Sequence, residues 1–131
     1  MFKKIDHVEL ITGNIERTID FYTKIMGFKV KERRKTSASP GASRMREIVY
    51  IELNGSVIEL MSVENPAPPS KEPWQIGYPR IALEVDDMDE TVAYLKEKGV
   101  KISREPVNLG TSKRGEIEDP DGLSIELRQW G

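Results

Sequence analysis

The signals for secondary structure run through this chain twice in the same order, and that repetition restricts the folds open to it. Ile5 to Thr12 alternates, with Val8 and Leu10 on one face and His7, Glu9 and Ile11 on the other, which reads as a strand. Asn14 caps a helix in which Ile15, Ile19, Tyr22 and Met26 recur at helical spacing, and Gly27 stops it. Strands are expected at Phe28 to Lys35, Arg46 to Leu53 and Ser56 to Ser62, the last two joined by the hairpin dipeptide Asn54-Gly55. The order then restarts with a strand at Arg80 to Asp86. Asp87 caps the second helix with Glu90 three residues on, Met88, Val92 and Leu95 line one face, and Gly99 ends it. Short strands are expected near Lys101 to Arg104, Gly115 to Glu118 and Leu123 to Arg128, with Asp119-Pro120-Asp121-Gly122 turning the chain where Asn54-Gly55 turned it before. The economical reading is one α+β domain over 1–131, built from two βαβββ repeats that form a curved mixed sheet around a cleft. Repeat one spans 1–63 and repeat two 78–131, with 64–77 a stiff, proline-bearing linker.

A chain of 131 residues suits one modest core and leaves little room for a second domain. With 20 basic and 22 acidic residues the net charge is −2, so there is no global attraction to nucleic acid or membrane. No apolar run approaches the roughly 20 residues that span a bilayer, and the start, Met1-Phe2-Lys3-Lys4, lacks a signal-peptide core. The absence of cysteine excludes disulfides, thiolate catalysis and cysteine-based metal clusters. These features point to a cytoplasmic enzyme or small-molecule binding protein. The loop from Thr36 to Ser43 is expected to be mobile.

The period-two pattern places polar side chains where apolar ones face the helices on the other side. Val8 and Leu10, Ile58 and Leu60, Ile81 and Leu83, and Ile125 and Leu127 form the helix-facing sides of four strands. His7, Glu59, Arg80 and Glu126 lie on the opposite sides, at matched places of the two repeats, and are expected to converge on one cleft. On alternation alone a solvated sheet face explains them equally well, but their equivalence under the repeat favours a site. His7 is the chain's one histidine. Lys29, Lys31, Arg33, Arg34, Lys35, Arg44 and Arg46 form a basic stretch, better read as a charged edge strand than as an anion-attracting surface. Trp74, Tyr78 and Trp130 either line the cleft or pack the linker and terminus.

Several segments carry a resemblance: Ile5-Asp6-His7-Val8, Asp20-Phe21-Tyr22 with Met26-Gly27-Phe28, Val57-Ile58-Glu59-Leu60, Arg80 to Asp87, and Asp119-Pro120-Asp121-Gly122 with Ile125-Glu126-Leu127. Together they resemble the vicinal-oxygen-chelate superfamily, which includes glyoxalase I, methylmalonyl-CoA epimerase, bleomycin resistance proteins and extradiol dioxygenases. The resemblance implies metal ligands at the positions of His7, Glu59, Arg80 and Glu126. Arginine cannot ligate a metal, and glyoxalase-like members usually carry histidine there, so the implied set here is His7, Glu59 and Glu126. It implies a divalent zinc, nickel, cobalt or manganese ion that stabilises an enediolate-type anion on a small oxygenated substrate. Glu59 or Glu126 would move the proton.

Arg80 opens two alternatives. Its guanidinium can satisfy both carboxylates and make a metal unnecessary, as in a metal-independent binding or resistance protein, or it can hold an anionic substrate group beside a three-ligand metal. Iron dioxygenases and fosfomycin-type proteins need two histidines and do not fit. A homodimer is expected, with Ile48, Tyr50 and Ile102 as apolar edge surface to be covered.

Overall fold

The computed structural model describes residues 1–36 and 44–131. It resolves into two units, Met1–Ala67 and Pro68–Gly131, which meet inside the expected linker. Each unit carries one βαβββ repeat.

In the first unit, β1 (Val8–Thr12) hands the chain to α1 (Ile15–Asp20). The Asn14 side chain accepts from the Arg17 amide at 3.1 Å, the capping bond its residue type predicts. The helix does not run on regularly to Gly27. From Phe21 to Ile25 it widens into a π-helical turn, and the Met26 amide reaches back to the Phe21 carbonyl at 3.1 Å. The extra residue per turn lets adjacent Phe21 and Tyr22 both turn inward, where Tyr22 meets Phe21 and Phe28 edge-on at 5.1 and 5.7 Å. Gly27 then leaves the helix at φ 88°, a conformation that costs glycine little.

Three strands follow, β2 (Lys29–Lys35), β3 (Met45–Leu53) and β4 (Ser56–Val63), in a sheet ordered β1-β4-β3-β2. Asn54 and Gly55 take φ 48° and 89°, as a two-residue hairpin of this type requires. β1 pairs with β4 in parallel, setting Glu9 opposite Glu59, and β3 pairs with β4 antiparallel, setting Tyr50 opposite Glu59. Ile48 is buried because β3 is an inner strand, so it is not the edge surface expected of it. Val8 and Ile11, on the outer strand β1, are exposed instead.

The second unit repeats the plan with β5 (Ile81–Glu84), α2 (Met88–Glu97), β6 (Ile102–Asn108), β7 (Ser112–Glu118) and β8 (Ser124–Trp130), ordered β5-β8-β7-β6. The Asp87 carboxylate accepts from the Glu90 amide at 2.9 Å, and Met88, Val92 and Leu95 are the buried face of α2. The last three strands are longer than the alternation predicts. Lys113 and Arg114 lie inside β7 and are paired with Gln129 and Arg128 of β8, so charged residues continue the ladder.

The basic stretch of β2 and its neighbours is largely neutralised. Arg33 pairs with Glu16 and Glu47, Lys31 with Glu52, Arg34 with Glu32, and Arg46 with Glu64. Residues 37–43, most of the loop expected to be mobile, lie outside the described residues. Trp74, Tyr78 and Trp130 are exposed, Trp130 beneath the Arg128 guanidinium. No helix among the described residues is long and apolar enough to cross a membrane.

Candidate metal centre and its duplicate

The register relates the two units residue by residue. Val8 faces Ile58 as Ile81 faces Ile125, so His7 corresponds to Arg80, Glu9 to Ala82, and Glu59 to Glu126. Tyr50 faces Glu59 as Glu116 faces Glu126. The duplicated positions have therefore kept one glutamate each and changed most of its surroundings.

In the first unit His7, Glu9 and Glu59 each turn one ligand-competent atom to the same point, all within 4.8 Å of one another. His7 Nε2 lies 3.5 Å from Glu9 Oε2 and 3.8 Å from Glu59 Oε2. The other ring nitrogen, Nδ1, is 2.9 Å from Asp6 Oδ2. With the proton held there, the Nε2 lone pair faces the two glutamates, the usual way a carboxylate orients a metal-binding imidazole. The Asp6 hydrogen bond raises the histidine above its ordinary value; partial burial opposes this, and the charge of Glu59 reinforces it. The Glu59 side chain is 9% exposed and that of Glu9 59%, so one carboxylate is built into the sheet and the other swings in solvent. Tyr50 donates its hydroxyl to Glu59 Oε1 at 2.6 Å and meets the His7 ring edge-on at 5.8 Å. Among the described residues no second grouping of three such ligands occurs.

The second unit is organised by arginine. Arg114 donates from Nε to Glu126 Oε1 at 2.7 Å and from Nη1 to Glu116 Oε2 at 2.5 Å, bridging two glutamates on paired positions. Arg128 Nη2 holds the other oxygen of Glu126 at 2.9 Å. Arg80 uses Nε on Ser124 Oγ at 3.0 Å, with Glu116 Oε1 at 3.5 Å, and is not the partner of Glu126. Burial pushes the Glu116 carboxyl up, but the hydrogen bond and charge of Arg114, with Ser124 and Arg80, outweigh it and hold the group below its ordinary 4.5.

Of the four residues that alternation singles out, the structure thus sets His7 and Glu59 together in the first unit. Arg80 and Glu126 belong to the second, in one charged network. Asp6, Glu9, Tyr50, Arg114, Glu116 and Arg128 complete these two groups and were not among the expected site residues. Glu9 was legible as a neighbour of His7 on one strand face. Arg114 was not, because the expected strand began one residue after it.

The donor set of the first unit fits a divalent ion: one imidazole nitrogen and two carboxylates, with the other ring nitrogen hydrogen-bonded to Asp6. That of the second does not, since a guanidinium has no lone pair to give and both oxygens of Glu126 are engaged by cations.

The chain is 35% identical to the lactoylglutathione lyase of Escherichia coli O157:H7 over 130 residues, covering 92% of this chain and 88% of that protein. Among solved structures it is similar to a glyoxalase family protein from Enterococcus faecalis, at 25% identity and TM-score 0.81, covering 97% of this chain and 98% of that one. It is also similar to the trypanothione-dependent glyoxalase I of Leishmania major, at 26% identity and TM-score 0.76, covering 98% and 87%. The profile of the glyoxalase/bleomycin resistance protein/dioxygenase superfamily matches residues 4–127, and the chain belongs to that superfamily.

Proposed function

We propose that this protein is a glyoxalase-I-like lyase or isomerase acting on a small oxygenated substrate, working in the cytoplasm as a homodimer. The observation that carries the reading is the pairing of His7 Nε2 with Glu59 in a chain 35% identical to a lactoylglutathione lyase. His7 and Glu59 would hold a divalent zinc, nickel, cobalt or manganese ion, with a third ligand, a carboxylate, from Glu126 by the repeat or Glu9 by proximity. When bound, the ion supplies Lewis-acid stabilisation of negative charge on adjacent substrate oxygens.

The remaining work belongs to side chains. Glu59 is the better proton carrier of the two expected glutamates, because each oxygen of Glu126 already accepts a charged hydrogen bond from an arginine, which a proton arriving there would weaken. Tyr50 fixes Glu59 Oε1 and leaves Oε2 on the side of His7. Arg80, whose bonds to the protein run through Nε, has its terminal nitrogens for an anionic group of the substrate.

The test is turnover of the thiohemiacetal of glutathione and the three-carbon 2-oxoaldehyde, the isomer of a lactoyl thioester, followed by thioester absorbance. Activity should require nickel, zinc, cobalt or manganese and fall at least about a hundredfold in His7→Ala, the scale of losing proton transfer or metal charge stabilisation. The arginine pairs around Glu126 favour a second reading, a metal-independent binding protein of the same fold. Tight ligand binding by chelated protein, without turnover in any metal, would establish that one.

A further inference from the structure

We infer that Glu9 is the third ligand of the metal, so that the ion is held by His7, Glu9 and Glu59 within the first unit alone. This rests on the metal reading above and specifies its ligands.

Both units place two glutamates on directly paired strand positions, where like charges repel. In the second unit the pair is Glu116 and Glu126, and Arg114 bridges it at 2.5 and 2.7 Å. In the first the pair is Glu9 and Glu59. Neither is paired with a lysine or arginine among the described residues, and the one basic group beside them is the His7 imidazole. The first pair thus calls for a cation that the second receives from arginine.

Geometry agrees. Ligand bonds of about 2.0–2.2 Å in tetrahedral or octahedral coordination set neighbouring donor atoms roughly 3–3.5 Å apart. His7 Nε2 is 3.5 Å from Glu9 and 3.8 Å from Glu59, and all three ligand atoms lie within 4.8 Å of one another, so small side-chain rotations close the set. Recruiting Glu126 instead would break the charged hydrogen bonds it makes with Arg114 and Arg128. Arg80, which cannot ligate, corresponds to His7, and Ala82 corresponds to Glu9, so at these matched strand positions only the first unit offers ligands.

Cobalt(II) titration, read by calorimetry and by the visible absorption of the bound ion, tests this on the full chain. Glu9→Gln should weaken cobalt binding by about tenfold or more, the scale even of losing a supporting residue, and Glu9→His should restore most of it. Glu126→Gln should cost less than Glu9→Gln. Thermal melting shows that each variant is folded. If Glu9→Gln binds like the native protein while Glu126→Gln loses affinity, the site draws its ligand from the second unit and the inference falls alone. If the native protein binds no cobalt at millimolar concentration, the metal reading itself falls and takes Glu9 with it.

Discussion

The Tyr50 hydroxyl approaches Glu59 Oε1 at 2.6 Å, and no other side chain among the described residues donates to that oxygen. A carboxylate that is 9% exposed needs such a donor to keep one rotamer. The bond also raises the Tyr50 phenol, and burial and the charge of Glu59 act in the same sense, so the hydroxyl stays protonated as a donor across the neutral range. Tyr50 is therefore a positioning residue that aims Oε2 at His7. Tyr50→Phe keeps the ring and its edge contact with His7 and removes the hydrogen bond alone. Metal affinity is expected to fall about tenfold, as for other residues that orient a ligand. An unchanged cobalt titration and spectrum would show that Glu59 is held by the sheet without help.

At the scale of elements, β7 and β8 set Arg114 opposite Arg128 and Glu116 opposite Glu126, two like-charge pairs that are tolerable only because they interlock. Glu116 is held below its ordinary 4.5. An acid that ionises more readily when folded binds fewer protons in the folded state, so its contribution to stability is complete above 4.5 and disappears as pH falls through the lower folded value. Melting temperature should accordingly drop on acidification below 4.5, and Glu116→Gln should flatten that dependence while lowering stability at neutral pH. A variant with the native pH slope would assign the acid sensitivity to other carboxylates. This ladder also shows where sequence reading stops. Strands, caps and turns were legible because Asn14, Asp87, Asn54-Gly55 and the alternating Ile and Leu residues act locally. Which residue lies opposite which is a long-range property. The Glu9–Glu59 and Tyr50–Glu59 pairings follow from the β1–β4 and β3–β4 registers, and nothing near Glu9 or Tyr50 in the chain announces them. The π-helical turn was hidden too, since Ile15, Ile19, Tyr22 and Met26 fit a regular helix as well.

At the scale of the whole molecule, an outer strand with free backbone groups and apolar side chains invites a partner. β1 closes one side of its sheet, and Val8 and Ile11 on its two faces are 40% and 51% exposed, with Phe2 and Ile5 just before it at 98% and 82%. The exposed apolar surface is thus β1 and the segment that leads into it, rather than Ile48 and Tyr50 on the inner strand β3. A second copy of the chain is the expected cover, because an identical strand can supply both the hydrogen-bonding row and the matching apolar side chains. Light scattering at micromolar concentration should give the mass of a dimer. Lysine at both positions, Val8→Lys with Ile11→Lys, sets charge on each face of the strand while leaving the buried core of the first unit intact, and should give a folded monomer. A native protein that is monomeric under these conditions refutes the dimer. A dimer that survives both lysines moves the interface away from β1.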